Sequence, residues 1–196
     1  MNTSTKQYII GIAGASNSGK TTITGKLATY LQSIGYTVTC LQMDDYYWPY
    51  HDKRHVRDPM TNQPNFDCES AINWEGIISF IKLWCEPQVS EKKNRILLIE
   101  GILIMNKMEL RKIMNLRIFL KITYEDLLQR RKLRKYRTPS PPDYIDKYVW
   151  PAYVRTLDML KYSKDSIYYF DSKNGTETLF REICQCVNEK IGFTNE

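Results

Sequence analysis

Eight residues near the start of the chain, Gly14 to Thr21, fit the pattern G-x-x-x-x-G-K-[ST]. They follow directly on an apolar run from Tyr8 to Ala13, which predicts a buried strand. Glycines at both ends let the backbone curl so that several N–H groups converge on one anion, and a helix beginning near Lys20 would add the positive end of its dipole. The pattern therefore predicts a strand, a phosphate-binding loop and a helix in succession.

The last residues of this loop have the chemistry that a nucleotide site requires. Lys20 would reach the outer phosphates as a point charge, and the Thr21 hydroxyl would complete the coordination of a bridging Mg²⁺. The alternative is a glycine-rich turn with a chance Lys-Thr pair, which the strand before it and the helix after it disfavour. The residues predicted to contact the phosphates are Gly14, Ala15, Ser16, Asn17, Ser18, Gly19, Lys20, Thr21 and Thr22.

The composition indicates one globular domain. The 196 residues are 42% hydrophobic and 26% charged, which allows one sizeable core and argues against disorder. No apolar stretch approaches the length of a membrane span, and a signal peptide would place its cleavage site inside the phosphate loop. We therefore expect a single domain over residues 1–196 that is neither secreted nor bound to a membrane.

The pattern of cysteines and histidines predicts neither disulfides, a metal site nor a catalytic histidine. The five cysteines are odd in number and lack zinc-type or C-x-x-C spacing, which suits a reducing compartment, so we expect a cytoplasmic protein. Cys184 and Cys186 lie two apart on a predicted helix, where their side chains diverge. His51 and His55 lie in a charged loop, where we expect solvated side chains in preference to a catalytic role.

The positive charge of the chain is concentrated in one segment. A net charge of +6 and a pI near 9.0 fit a polyanionic partner, either nucleic acid or a triphosphate. The densest basic cluster covers residues 129–137, at the end of a helix that is predicted to begin near Tyr124. Alone, such a cluster is more typical of a solvated face or a nucleic-acid patch. Beside a phosphate loop it favours arginines that close over a transferring phosphoryl group.

Apolar segments along the chain predict alternating strands and helices. Five strands separated by helices predict an α/β fold, a parallel sheet with helices on both faces and right-handed crossovers. A basic lid helix is expected within residues 124–142, and residues 48–65 form a long loop. The predicted strands cover residues 8–13, 37–43, 95–99, 116–122 and 166–170, and the predicted helices cover 20–34, 70–86, 108–114, 124–136, 143–161 and 177–190.

Charged residues follow the predicted strands at the edge where ligands of such sheets bind. The second strand leads into Asp44 and Asp45, and the third ends at Glu100. Glu100 is suited to hold Mg²⁺ or its waters, unless it simply faces solvent. One of the two aspartates is suited to accept a hydroxyl proton as general base, unless the pair is an ordinary turn signal.

These motifs, taken together, resemble nicotinamide riboside kinases, and uridine kinases are the nearest relatives by architecture. The resemblance covers residues 7–191 in order and spacing. It rests on the phosphate loop 14–21 and on the segments 44–49 (Asp-Asp-Tyr-Tyr-Trp-Pro), 65–67 (Asn-Phe-Asp), 99–106, 130–136 and 149–151 (Val-Trp-Pro). It implies a P-loop kinase fold and Mg²⁺-dependent transfer of the γ-phosphoryl of ATP to the 5′-hydroxyl of nicotinamide riboside, for NAD synthesis. Nicotinic acid riboside is an expected second acceptor, and a monomer is expected.

The resemblance also implies roles for individual residues. Asp44 would accept the proton, Thr21 and Asp44 would neighbour Mg²⁺, and Asp67 would hold the ribose hydroxyls. Phe66 and Tyr136 would sandwich the pyridine ring, which suits aromatic faces because the ring is cationic; ordinary packing is the alternative for both. The lid over the phosphates would be formed by Arg130, Arg131 and Arg134.

The residues expected to be catalytic are Asp44, Lys20, Glu100 and Arg130. Further nucleotide contacts are expected from Arg130, Arg134, Lys135, Tyr136, Asn174, Gly175 and Thr176. Acceptor contacts are expected from Asp44, Asp45, Tyr46, Tyr47, Phe66, Asp67, Arg131, Tyr136 and Arg137.

Three positions depart from the family pattern. Ser140 stands where the family usually carries aspartate, Trp48 replaces a residue that is often lysine, and Phe66 lacks the hydroxyl of the usual tyrosine. These changes concern the choice among pyridine and pyrimidine ribosides, so a uridine or cytidine kinase is the alternative enzyme. They leave the residues for phosphoryl transfer unchanged.

Two other classes of protein share part of the pattern. A regulatory GTPase would share the phosphate loop, but Asn106-Lys107-Met108-Glu109 lacks the aspartate of the guanine-reading element and no D-x-x-G occurs. A nucleotide-dependent nucleic-acid-binding protein is supported only by the basic cluster. We therefore expect small-molecule partners and no nucleic acid.

Overall fold

Five parallel strands form one sheet in the computed structural model, which describes residues 6–87, 94–133 and 143–192. The strand order is β2-β3-β1-β4-β5, so the strand that leads into the phosphate loop lies at the centre. The strands are β1 (Gln7–Gly14), β2 (Thr37–Gln42), β3 (Arg95–Gly101), β4 (Leu116–Lys121) and β5 (Tyr168–Asp171). The predicted parallel α/β sheet is confirmed.

Helices connect the strands and cover both faces of the sheet. The α-helices are α1 (Lys20–Ser33), α2 (Trp74–Cys85), α3 (Met108–Ile113), α4 (Tyr124–Leu133), α5 (Trp150–Lys161) and α6 (Thr176–Ile191). Short 3₁₀ turns occupy Met43–Tyr46, Glu69–Ala71 and Ser172–Asn174, and a π-helical segment, Ile145–Val149, leads into α5.

Alternating side chains of the strands build two hydrophobic layers. On β1, Ile9 and Ala13 pack in the layer that contains Ile77 of α2 and Tyr153 of α5. Ile10 and Ile12, on the opposite face of the strand, pack in the layer that contains residues of α1 and α6. Both faces of a central parallel strand are thus buried, which explains its continuous apolar sequence.

Several element boundaries differ from the sequence-based expectation. The second strand ends at Gln42, and Met43 begins a 3₁₀ turn that carries both aspartates. Helix α2 begins at Trp74 and not near Ser70, because the side chain of Asn73 caps it by accepting a hydrogen bond from the Gly76 amide at 3.0 Å. The last strand begins at Tyr168, and the helix expected from residue 143 is π-helical before Trp150.

All five cysteines have free thiols. Within the ranges that the structure describes, none of the helices combines the length and the apolar character that crossing a bilayer demands.

Candidate active site

The phosphate loop is shaped by backbone conformations that few side chains tolerate. Gly14 has φ +148°, and a Cβ there would lie 2.5 Å from the carbonyl oxygen of Leu120 on the neighbouring strand β4. Gly19 has φ +94° and caps α1, and Asn17 is left-handed at φ 62°. These residues bring the loop back over the end of β1, with the Ser18 amide bonded to the Ala15 carbonyl at 3.2 Å.

Lys20 is folded against its own loop. Its ammonium group donates a hydrogen bond to the Ala15 carbonyl at 2.8 Å, and the side chain is 8% exposed. Burial raises the pKa of the Asp67 carboxyl, and the charge of Lys20 opposes that rise. A phosphate oxygen bound in the loop would compete for this ammonium group as a stronger, charged acceptor.

Thr21 and Glu100 place two oxygen atoms beside the loop that could act as metal ligands. The Thr21 hydroxyl donates to Glu100 Oε1 at 2.8 Å, and Glu100 is buried at the carboxyl end of β3. In the described ranges, no group of three or more His, Cys, Asp or Glu side chains could hold a metal ion alone. Mg²⁺ typically takes one or two protein oxygens together with waters and substrate phosphates. The pair therefore fits an Mg²⁺ ion that arrives with a nucleotide.

Arg130 connects the phosphate loop to the end of the last strand. Its guanidinium donates to the carbonyl of Ser172 at 2.6 Å and to that of Asn17 at 3.3 Å. Arg130 lines two cavities. The first, of about 410 Å³, is lined by Asn17, Gly19, Lys20, Thr21, Thr22, Arg130 and Leu133. The second, of about 350 Å³, is lined by Asn17, Ser18, Gly19, Thr22, Ile23, Arg130, Ser172, Gly175, Thr176 and Leu179.

These cavities bring together most of the residues predicted for a nucleotide. Gly175 and Thr176, at the start of α6, line the second cavity. Asn174 lies in the adjacent turn but does not line the cavity. Ser18 and Ser172 also belong to the lining of this cavity, and their hydroxyls are buried without a hydrogen-bond partner among the residues that the structure describes.

Asp44 and Asp45 face different neighbours, although both are exposed in the same 3₁₀ turn. The pKa of Tyr47 is raised well above its ordinary value, first by burial and then by the charges of Asp67 and Asp44. The pKa of Tyr46 is raised by burial and by the charge of Asp45. The charge of Asp44 thus acts on Tyr47 and Asp67, whereas the charge of Asp45 acts on Tyr46.

Asp67 is a buried carboxylate that lines a small cavity together with Ala15 and Ser16 of the phosphate loop. It is 7% exposed, and burial raises its pKa to about 6. A hydrogen bond from Tyr144 and the charges of Arg131 and Lys20 oppose that rise, and the charge of Asp44 adds to it. Arg131 also lies over the ring of Tyr144, 5.6 Å from its centroid. The adjacent arginines therefore diverge: Arg130 faces the nucleotide cavities and Arg131 faces Asp67.

Phe66 lies in a cluster of aromatic rings that the long loop supplies. Its ring meets Tyr47 edge-on at 5.3 Å between centroids and His55 edge-on at 5.1 Å. His55 is 6% exposed, and its Nε2 lies 3.0 Å from the Trp48 carbonyl. The expectation of a solvated His55 is wrong, because the loop folds back and buries this ring against Phe66; His51 is exposed, as expected.

Comparison with known proteins identifies the family to which the chain belongs. A family model described as an AAA domain matches residues 10–150. Human nicotinamide riboside kinase 1 is 32% identical to the chain over 195 residues, which cover 95% of this chain and 94% of the human protein. The chain belongs to the nicotinamide riboside kinase family. It is accordingly a phosphotransferase, and the family resemblance predicted from the sequence is confirmed.

Uridine kinases are also similar to this member of the nicotinamide riboside kinase family. The uridine kinase of Ligilactobacillus salivarius is 30% identical over 187 residues, covering 85% of this chain and 86% of that protein. A solved structure described as a possible uridine kinase from Bacillus stearothermophilus aligns with a TM-score of 0.56 at 18% identity, over 86% of this chain and 91% of that one. The structural likeness shows the shared fold.

One residue of the kinase site was missed by sequence reasoning. The hydroxyl of Tyr144 accepts a hydrogen bond from the Phe66 amide at 2.9 Å and lowers the pKa of the neighbouring Asp67 carboxyl against the rise that burial causes. The available signal was a pair of tyrosines, Tyr144 and Tyr148, one turn apart before Trp150. The predicted contacts of Arg134, Lys135, Tyr136 and Arg137, and the departure at Ser140, lie outside the described residues.

Proposed function

We propose that the chain transfers the γ-phosphoryl group of ATP to the 5′-hydroxyl of nicotinamide riboside, giving nicotinamide mononucleotide for NAD synthesis. The observation that carries this proposal is the 32% identity to human nicotinamide riboside kinase 1 over 95% of the chain. Nicotinic acid riboside is proposed as a second acceptor, because the two bases share the pyridine ring that aromatic side chains would stack on.

The donor nucleotide would occupy the phosphate loop and the two cavities beside Arg130. Loop amides and Lys20 would hold the outer phosphates, and Arg130 would exchange its carbonyl partners for the transferring group. The turn at Gly175 and Thr176 would contact the base. Phosphoryl transfer depends mainly on positioning and charge neutralisation, which these cations supply.

Mg²⁺ would be held by the Thr21 hydroxyl, with the Glu100 carboxylate beside it and Asp44 nearby. When bound, the ion neutralises charge on the phosphates and keeps them in line with the acceptor. Glu100 holds the Thr21 hydroxyl in place at 2.8 Å, and its burial at the end of β3 restricts the carboxylate to this position.

The acceptor riboside would lie on the side of the cleft that contains Asp44 and Asp67. Asp44 would accept the 5′-hydroxyl proton as the phosphoryl group is transferred. Asp67 would accept hydrogen bonds from the ribose hydroxyls, with Arg131 close to it. Phe66 would stack on the pyridine ring, opposite Tyr136; contact of this type with a cationic ring contributes roughly 0.5–2 kcal/mol.

The main alternative is a uridine or cytidine kinase, because a uridine kinase is 30% identical to the chain. The ATP site, the Mg²⁺ site and the general base Asp44 would be the same, and only the ring of the acceptor would differ. A nucleic-acid-binding role without catalysis is the remaining alternative, and it would use the basic residues that follow Arg130. We further propose a cytoplasmic monomer that binds neither nucleic acid nor membranes; free cysteines support the reducing compartment.

The proposal is tested by ADP release from Mg²⁺ and ATP over a panel of acceptors. The panel contains nicotinamide riboside, nicotinic acid riboside, uridine, cytidine and simple sugars, with a Lys20→Ala preparation as the control for contaminating kinases. We expect the highest kcat/KM with nicotinamide riboside. Turnover of uridine without any pyridine riboside would assign the alternative enzyme. Salt-sensitive duplex binding that survives Lys20→Ala, without turnover of any acceptor, would support the nucleic-acid role.

A further inference from the structure

One tyrosine hydroxyl fixes two consecutive residues of the acceptor side. Tyr144 is 6% exposed, and its oxygen accepts the Phe66 amide at 2.9 Å while its hydrogen is available to the Asp67 carboxylate. Phe66 and Asp67 are 78 and 77 residues away in sequence from Tyr144. The hydroxyl therefore holds the backbone of Phe66 and lies beside the buried carboxylate of Asp67.

The surroundings of Tyr144 restrict its own position. Its ring lies 5.1 Å from that of Tyr148, and the guanidinium of Arg131 lies 5.6 Å from its centroid. Tyr148 donates to the buried carboxylate of Asp58 at 2.6 Å, in the distal part of the long loop. Two tyrosines one turn apart thus fasten the same loop at two points. Local π-helical backbone, as at Ile145–Val149, is frequent at functional sites.

Burial and the charge of Asp67 keep the Tyr144 hydroxyl protonated, so it remains a hydrogen-bond donor. Burial raises the pKa of Tyr144, and the charge of Asp67 raises it further. The phenol is therefore neutral at every pH at which the protein would work, and it can always donate to the carboxylate. A phenylalanine in its place would leave the Asp67 carboxylate and the Phe66 amide without this partner in a buried position.

We propose that Tyr144 is a positioning residue for the acceptor substrate, acting through Asp67 and Phe66. This inference rests on the proposed function. Within the described ranges, the Tyr144 hydroxyl contacts Phe66 and Asp67 on the acceptor side, so its loss should affect acceptor binding more than nucleotide binding. Loss of the Tyr144 hydroxyl loosens the segment that carries Phe66 and Asp67, and it leaves the ATP site and Asp44 unchanged.

The test compares Tyr144→Phe with a matched control, Tyr30→Phe. Tyr30 also uses a part-buried hydroxyl, bonded to Asn188 at 3.1 Å, but it lies between α1 and α6 on the opposite face of the sheet. With the riboside that the wild type turns over best, we expect Tyr144→Phe to raise the acceptor KM about tenfold or more, with kcat and the KM for ATP changed less than about threefold. The control should change neither KM.

Equal KM values for the acceptor in wild type and Tyr144→Phe would overturn the proposal, as would an equal rise in both substrates' KM values. A second readout needs no turnover: the ¹³C titration of the Asp67 carboxyl, assigned by its loss in Asp67→Asn. Without the tyrosine hydrogen bond the midpoint should rise above the wild-type value, which burial places at about 6. An unchanged midpoint would contradict the proposal. Absence of turnover with every riboside would contradict the proposed function, and the titration would still decide whether Tyr144 acts on Asp67.

Discussion

The hydroxyl of Thr21 donates a hydrogen bond to Glu100 Oε1 at 2.8 Å, which joins the first turn of α1 to the carboxyl end of β3. The two residues are 79 positions apart, and the parallel sheet brings them together because β1 and β3 are paired neighbours. Residues that orient a metal-bound group typically change metal affinity 10- to 100-fold when they are replaced. The dependence of activity on Mg²⁺ should therefore respond to Glu100.

Glu100→Gln is expected to raise the Mg²⁺ concentration for half-maximal activity by about tenfold or more, because the amide keeps the shape but loses the charge. The measurement is initial rate against free Mg²⁺ at saturating ATP. Glu109→Gln, an exposed residue of α3, is the control and should leave the curve unchanged. Identical Mg²⁺ curves for Glu100→Gln and wild type would remove Glu100 from the metal site.

Lys20→Ala is expected to abolish nucleotide binding, because it removes the buried ammonium group that lies against the loop. At an ATP concentration of about 100 times Kd, binding stabilises the wild type by about 2.7 kcal/mol, which appears as a rise in Tm. We expect that rise to disappear in Lys20→Ala. Lys26→Ala, on the surface of the same helix, should retain it. Full ATP stabilisation of Lys20→Ala would contradict the donor site described above.

Asp67 should make stability depend on pH in the acid range. Its pKa is near 3.8 in a model peptide and about 6 in the folded protein, so the folded state binds more protons between these values. Its contribution to stability is therefore present below about pH 4 and is lost as the pH rises through about 6. In Asp67→Asn, this loss disappears.

The measurement is the free energy of unfolding by urea, in wild type and Asp67→Asn, from pH 4 to 7. The variant should gain stability relative to wild type as the pH rises, with a slope approaching about 1.4 kcal/mol per pH unit near pH 5 and a plateau above about pH 6.5. Asp158→Asn, an exposed position, should run parallel to wild type. A difference that does not change with pH would show that Asp67 does not titrate abnormally.

Asp44→Ala is expected to lower kcat about 10²- to 10⁴-fold, because a general base contributes roughly this factor. ATP binding should be nearly unchanged, since Asp44 lies towards Asp67 and not within the loop that holds the phosphates. Asp45→Ala is the control, because its charge acts on Tyr46 instead. A larger loss in Asp45→Ala than in Asp44→Ala would reverse the assignment of the base.

The sequence predicted the sheet and the donor side of the site in some detail. Apolar strands such as Arg95–Gly101 are buried on both faces, so their composition alone identifies them. The phosphate loop carries its own glycines, lysine and threonine within eight residues, and its chemistry is therefore local. Glu100 follows because the ends of parallel strands meet at one edge.

The acceptor side was less predictable because its contacts are remote in sequence. Tyr144 meets Phe66 across 78 residues, and no local pattern encodes that pairing. His55 stands among charged residues, yet the loop buries it against Phe66 and the carbonyls of Trp48 and Pro49. The divergence of Asp44 from Asp45 likewise depends on a 3₁₀ turn that replaces the last residue of the predicted strand.

The most direct test follows the phosphoryl group itself. Wild-type protein is incubated with nicotinamide riboside, Mg²⁺ and ATP labelled with ¹⁸O on the γ-phosphoryl group, and the products are separated and weighed by mass spectrometry. The account predicts nicotinamide mononucleotide that carries the label, in amounts equal to the ADP formed, and neither product with Lys20→Ala. ADP formed with labelled inorganic phosphate and no labelled mononucleotide would contradict it.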